Sequence, residues 1–263
     1  MTCADFTALL YEDAAFEQTV SALWAGTPVS IDGAAGSSRA LTIAAIAGKG
    51  TKPVLVIVPD IVQADNAAND IETFIGSGTA NVVCVFPPMP KQDEDLGEAN
   101  PFALSDENFG GRVSVLKRLN AADKRCIIVT TMPALLQEVP PKALLAERTQ
   151  TLAAGQRIGL ENLRLYLVNN GYHPTPAVDL PGEFASRGYI FDIFAPDWQQ
   201  PVRLELFGDE IESLRRFDIA TQRSLETVSE VDLTSIKPDE SAGASLLDYL
   251  PADSPIILVE AEE

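Results

Sequence analysis

Apolar residues recur at helical spacing through the first 24 positions, at Phe6, Leu9, Leu10, Phe16, Val20, Leu23 and Trp24, and the run stops at Gly26 and Pro28. Spacings of three and four put such residues on one face, which predicts one or two amphipathic helices. Beyond Pro28 the pattern alternates. Short runs rich in Val and Ile predict strands at Val29–Ile31, Val54–Val58, Val82–Phe86 and Cys126–Thr130, with helices over Ser37–Ala47, Ile61–Ile75 and Asp106–Leu119. Unbroken apolar strands separated by helices imply βαβ units, and hence a mostly parallel sheet covered on both faces.

The pattern changes past Pro140-Pro141. A helix over Leu160–Asn169 is followed by β-branched and aromatic runs near Val178–Leu180, Phe184–Arg187, Tyr189–Phe194, Val202–Phe207, Ile211–Phe217 and Val228–Leu233. Turn signals at Pro181-Gly182, Pro196-Asp197 and Gly208-Asp209 separate them, which predicts a second, antiparallel α+β unit. A last apolar run, Pro255–Val259, reads as a buried strand. The Pro- and acid-rich stretch between Phe86 and Asp106 carries no recognisable chemistry and reads as a mobile loop. On an unbroken strand Arg187 shares a face with Tyr189 and Phe191; a bulge at Gly188 would bring Asp192 and Phe194 to that face instead, and the bulge is the favoured expectation. Gly208-Asp209-Glu210 reads as a hairpin turn, and Arg203 and Glu205 as a structural pair on one strand face.

Charge changes the picture most. The chain has 19 basic against 38 acidic residues, a net charge of −19, with 46% hydrophobic and 22% charged residues. The composition is that of a folded globular protein. The charge opposes the phosphate attraction behind non-specific DNA binding, so any nucleic-acid role would be local or indirect. Acidity serving solubility alone is an equal reading. Three scattered cysteines and one histidine predict neither a zinc site nor a disulfide framework, which fits a reducing cytoplasm. Cys84 and Cys126 lie in apolar strand-like runs and read as inert buried thiols. Neither a membrane span nor a signal peptide is legible, and a cytoplasmic location is expected.

Strand Val29–Ile31 leads through Gly33-Ala-Ala-Gly36-Ser-Ser-Arg39-Ala40 into a helix, the context of a phosphate-binding P-loop. Gly33 fits that motif. Ser38 stands where the second glycine belongs, Arg39 replaces the lysine, and Ala40 replaces the hydroxyl that holds magnesium. A Cβ at Ser38 restricts the backbone geometry that converges amides on phosphate, and a guanidinium lacks the compact charge of an ammonium. Weak anion binding at Gly36–Arg39 and an ordinary Gly-rich βα turn both stay open; catalytic ATP hydrolysis is not expected, nor is a cofactor. Downstream, Leu258-Val259-Glu260-Ala261-Glu262 has the form of an apolar strand ending in acidic residues, but valine occupies the metal-binding position.

The densest motif run lies at 182–223: Gly-Glu-Phe-Ala-Ser-Arg-Gly (182–188), Phe-Asp-Ile-Phe (191–194), Arg-Leu-Glu-Leu-Phe-Gly-Asp-Glu-Ile-Glu-Ser-Leu-Arg (203–215) and Thr-Gln-Arg (221–223). It holds no nucleophile–base pair or metal cluster. It resembles the UvrB-homology module at the N-terminus of bacterial transcription-repair coupling factor (Mfd) and, more distantly, the repair helicase subunit UvrB. The resemblance implies an α/β fold in which a degenerate P-loop helicase-like parallel sheet domain is interrupted by an inserted antiparallel α+β domain. It divides the chain into an N-terminal helical segment (1–26), a UvrB-like domain 1A (27–140), an inserted domain 2 (141–232) and the start of a domain 1B (233–263), cut from a longer protein. It implies a non-enzymatic module that binds the damage-recognition ATPase UvrA in transcription-coupled repair. Of the contacts carried by the family, Arg187 matches one arginine; Ala185 fills a second arginine position, and His173 falls where relatives have arginine. Phe194 is the expected aromatic anchor beside Arg187. Contacts with the C-terminal domains of the full-length protein are also implied, while RNA polymerase and DNA would be reached through parts absent from this chain. The rival reading is a diverged UvrB-type helicase or ATPase domain that still uses Gly33–Ala40.

Overall fold

The computed structural model describes residues 3–75, 81–90, 107–121, 125–235 and 243–259. The chain divides into two compact units, each discontinuous in sequence: Met1–Pro90, Val115–Val139 and Ala244–Glu263 in the first, Lys91–Ser114 and Pro140–Gly243 in the second. The first unit opens with α1 (Cys3–Leu10), α2 (Ala14–Trp24), α3 (Ser37–Lys49), β1 (Val54–Val58), α4 (Ile61–Ile75) and β2 (Val82–Phe86). α5 (Glu107–Asn120) contributes residues to both units, and β3 (Cys126–Thr131) and α6 (Met132–Leu135) follow in the first. The second unit contains α7 (Lys142–Glu147), β4 (Thr149–Ala153), α8 (Leu160–Asn169), β5 (His173–Pro174), β6 (Glu183–Arg187), β7 (Ile190–Ile193), β8 (Val202–Phe207), β9 (Glu210–Phe217), β10 (Ser224–Val228) and β11 (Glu230–Thr234). α9 (Leu246–Tyr249) and β12 (Ile256–Leu258) return to the first unit.

In the first unit a parallel sheet runs in the order β12-β1-β3-β2. Every residue of β1 and β3 is buried, and burial on both faces is why those strands read as unbroken apolar runs. Ala40, Ile43, Ala44 and Ala47 of α3 pack in one core with Ala64, Ala68, Ile71 and Ile75 of α4. Small residues at that spacing allow close approach of the helices to the sheet. The strand expected at Val29–Ile31 does not form: Val29 and Ile31 are 36% and 39% exposed and the segment has no ladder partner among the described residues. Composition alone cannot make a strand when no neighbour accepts its hydrogen bonds.

The second unit carries a six-stranded sheet, β10-β9-β8-β7-β6-β5, antiparallel except for the short β5–β6 pair, and a separate β11–β4 ladder. Its core gathers Phe184, Phe191, Ile193, Val202, Leu204 and Leu214 from one sheet face with Leu163, Leu167 and Tyr172 from α8 and the turn after it. Tyr172 is fully enclosed and donates its hydroxyl to Thr234 O at 2.9 Å, so burial pushes its pKa well above 10. The strand expected at Val178–Leu180 is absent; Pro176 and Pro181 bracket it and Val178 instead buries its side chain. The run expected as one strand at Val228–Leu233 is two, because β10 and β11 join different sheets on either side of Ser229. The Pro- and acid-rich stretch falls mostly at 91–106, outside the described residues.

Candidate functional site

Glycine sets the geometry at one end of the larger sheet. Arg187 pairs with Ile190, so β6 and β7 form a hairpin whose two turn residues are Gly188 and Tyr189. Gly188 has φ +61° and Tyr189 does not share the positive sign, the signature of a turn with glycine in its first central position. The expected bulge at Gly188 is thus a chain reversal. Cross-strand partners lie on one face, so the register puts Arg187 with Ile190, Ala185 with Asp192, Asp192 with Arg203, and Arg203 with Arg215 on the side away from the Phe184–Phe191 core. His173 pairs with Glu183 in the parallel register and joins the same face.

Most charges on this face are already matched. Arg203 donates to both carboxylate oxygens of Asp192, at 2.7 and 2.8 Å, lies 4.6 Å from the Phe217 ring centroid, and donates to Gln222 Oε1 at 3.1 Å. The Asp192 hydrogen bond raises the Arg203 pKa further. Glu205 accepts from Arg215 and from Ser213, each at 3.0 Å. Arg187 differs. Its side chain is exposed and its Nη2 donates to a neutral carbonyl, Pro176 O, at 2.8 Å, with no carboxylate partner among the described residues. Its positive charge is held in place but not cancelled, which is the state required of a group that must pair with an external anion. His173 is also exposed; its backbone amide donates to Gly182 O at 2.9 Å.

Phe194 is not at the surface. It is 7% exposed and packs with Val178, Ala185, Trp198 and Ile219. Turning it out to meet a partner would forfeit about 1.5–3 kcal/mol of burial, so on this face it is covered by its neighbours rather than presented to a partner. The exposed apolar groups here are others: Phe207 (79%), which shares the face of Glu205 and Ile190, and Ile190 itself (39%). The signal for Phe207 was its position two residues after Glu205 at a hairpin end, where alternation and the turn together leave a side chain uncovered.

The loop before α3 bonds its own backbone in part, while the amides of Gly33, Ala34, Gly36 and Ser37 have no acceptor among the described residues. Gly33 and Gly36 have φ +81° and +54°. Ser38 Oγ accepts from Ala35 N at 2.9 Å and donates to Ala35 O at 2.7 Å, while the amides of Ser38 and Arg39 donate to Ala35 O and Gly36 O. Arg39 Nε turns back to Ala34 O at 3.0 Å, and Ala40 is core. Two cavities meet this loop, one of about 150 Å³ beside Gly36, Arg39 and Ala40 and one of about 520 Å³ whose lining includes Gly33, Ala34 and Arg39. Of the second motif only Leu258 and Val259 are described; Glu260–Glu262 lie outside the described residues. Among the described residues no His, Cys, Asp and Glu side chains gather as a metal site, and no helix is long and apolar enough to cross a membrane. Burial raises the Cys84 thiol pKa, and Cys126 is buried, so neither is an activated nucleophile.

The family model described as the UvrB interaction domain matches residues 151–238, which begin inside β4 and contain the whole six-stranded sheet. The transcription-repair-coupling factor of Myxococcus xanthus is 33% identical over 220 residues, covering 83% of this chain and 18% of that protein. The chain belongs to the UvrB-homology modules of transcription-repair-coupling factors. The Bacillus subtilis (strain 168) factor is 29% identical over 217 residues, covering 81% of the chain, and the Staphylococcus aureus (strain USA300) factor 31% over 229 residues, covering 87%. The module spans under a fifth of the length of these relatives. In it, the UvrB interaction domain supplies both the open face and the hairpin that holds Arg187.

Proposed function

We propose that this module is a non-enzymatic docking unit that binds UvrA through the Arg187 face of its larger sheet and so recruits damage recognition in transcription-coupled repair. The observation that carries the reading is the uncancelled charge of Arg187, held by Pro176 O on the open face of the matched domain. His173 and the exposed Phe207 extend that contact, and Phe194 anchors the covered part of the same face under Val178, Trp198 and Ile219. The loop at Gly33–Ala40, with the Ser38 and Arg39 side chains turned back onto Ala35 and Ala34 and no hydroxyl at Ala40, supports a helicase-like sheet whose nucleotide chemistry has been lost. In this reading residues 1–26 are a helical lead, 27–140 a UvrB-like domain 1A, 141–232 the UvrA-binding domain 2, and 233–263 the start of domain 1B. The module acts in the cytoplasm, its docking face meets C-terminal domains within the whole protein, and RNA polymerase and DNA are engaged by other parts of that protein. Titrating purified UvrA into the module tests the reading: a saturable complex displaced by UvrB is expected. The absence of any complex at micromolar concentration, or a complex indifferent to UvrB, would refute it.

A further inference from the structure

In the second unit one strand grips a loop from two sides. Glu183, Ala185 and Arg187 alternate along β6, so their side chains share the outer face of the larger sheet. Over that face runs the segment 175–181, which connects β5 to β6. Glu183 Oε2 accepts from the amides of Asp179 and Leu180, at 2.8 and 2.9 Å. Val178 is buried against Ala185 and Phe194, and Arg187 Nη2 donates to Pro176 O at 2.8 Å. Thr175 N donates to Phe184 O at 2.8 Å, its Oγ1 donates to Ala177 O at 2.9 Å, and the rings of Pro174 and Pro176 fix their own φ. The segment is thus tied to β6 on both sides of Val178, and the carbonyl that Arg187 meets is held still. The acidic residues of this face are engaged elsewhere: Glu183 with two backbone amides, Asp192 with Arg203, and Glu205 with Arg215 and Ser213. That is why Arg187 keeps its charge.

We propose that Glu183 is a positioning residue for docking: by pinning the 175–181 segment to β6 it keeps Pro176 O at the Arg187 guanidinium, which presents that cation to an anionic group of the partner in one orientation. The inference rests on the docking of UvrA through Arg187 and adds to it a residue that touches no partner. Freezing a long, rotamer-rich side chain on association weakens binding by about two- to tenfold. With the guanidinium already tied to Pro176 O, most of that cost is met in the free module. Charge alone predicts the opposite effect of removing Glu183. Loss of a carboxylate on the strand face of Arg187 strengthens the pull of that face on an anion, so a loss of affinity has to come through geometry.

The test measures UvrA affinity for wild type, Glu183→Ala, Glu183→Gln, Arg187→Ala and the double variant carrying both alanines, with melts and amide hydrogen exchange of each. Glu183→Ala is expected to bind about threefold or more weakly than wild type, and to exchange faster at Asp179 and Leu180 while Phe191 and Leu204 in the core keep their protection. Both amides meet a single oxygen, and the carbonyl oxygen of glutamine can take its place, so Glu183→Gln should bind within about twofold of wild type or more tightly. In the Arg187→Ala background Glu183→Ala should cost nothing further, because the two act as one unit. Pro176→Gly loosens the segment with Glu183 intact and gives the same loss and the same non-additivity should Glu183→Ala fail to fold. Wild-type affinity in Glu183→Ala, a loss just as large without Arg187, or a loss in Glu183→Gln equal to that in Glu183→Ala would each overturn the inference and leave the docking reading standing. No complex with wild type, or undiminished binding of Arg187→Ala, would overturn both.

Discussion

Reversing the charge at Arg187 separates docking from folding. In the free module the side chain makes one hydrogen bond, to Pro176 O, and is otherwise exposed. Arg187→Ala therefore removes little from the fold: an exposed charged group contributes on the order of 1 kcal/mol or less, a shift of a few degrees in melting temperature for a unit of this size. At a desolvated interface the same truncation costs about 2 kcal/mol or more, roughly thirtyfold in affinity. Arg187→Glu loses that contact and adds repulsion against whatever anion the arginine met, so it should bind more weakly than Arg187→Ala. The assay is calorimetric or optical titration of UvrA with wild type, Arg187→Ala and Arg187→Glu, with circular dichroism melts of each. Binding of Arg187→Glu within about threefold of wild type, with an intact fold, would refute the placement of Arg187 in the interface. Loss of binding that tracks a lowered melting temperature would refute the claim that its contribution is to docking.

Gly110→Ala should destabilise the second unit by about 1–3 kcal/mol despite the helix preference of alanine, because the added Cβ would meet Pro196 O at 1.9 Å; a lowered denaturant midpoint checks this. Alkali should unfold the protein from about pH 10 upward. Burial raises Tyr172 well above 10 and Tyr11 and Tyr249 to about 12, so the unfolded chain releases these protons first and stability falls between the unfolded and folded values; phenolate absorbance recorded beside circular dichroism should change with unfolding, not before it. ATP with magnesium should show no turnover above a buffer control, and turnover abolished by Arg39→Ala would restore the ATPase reading of the Gly33–Ala40 loop.

Local pattern was sufficient where burial is symmetric or periodic. Val54–Val58 and Cys126–Thr131 are enclosed on both faces, so their residues are uniformly apolar and mark the strands by themselves. The motif run at 182–223 carried the family resemblance, because turn glycines and alternating residues sit close together in sequence. What the sequence could not determine depends on partners distant along the chain. β4 reads Thr-Gln-Thr-Leu-Ala, too polar to announce a strand, and exists because Glu230–Thr234 pairs with it some 80 residues later. Val29–Ile31 has strand composition but no partner strand among the described residues, so it enters no ladder there. At Gly188 a glycine signals a break in either case; only the pairing of Arg187 with Ile190 makes it a reversal. Phe194 and Phe207 are the same residue type on the same sheet face, and the tertiary structure alone separates them. Val178, Trp198 and Ile219 close over Phe194, while nothing among the described residues covers Phe207 at its hairpin tip. Burial is set by what packs against a side chain, and those neighbours come from loops that no periodicity encodes.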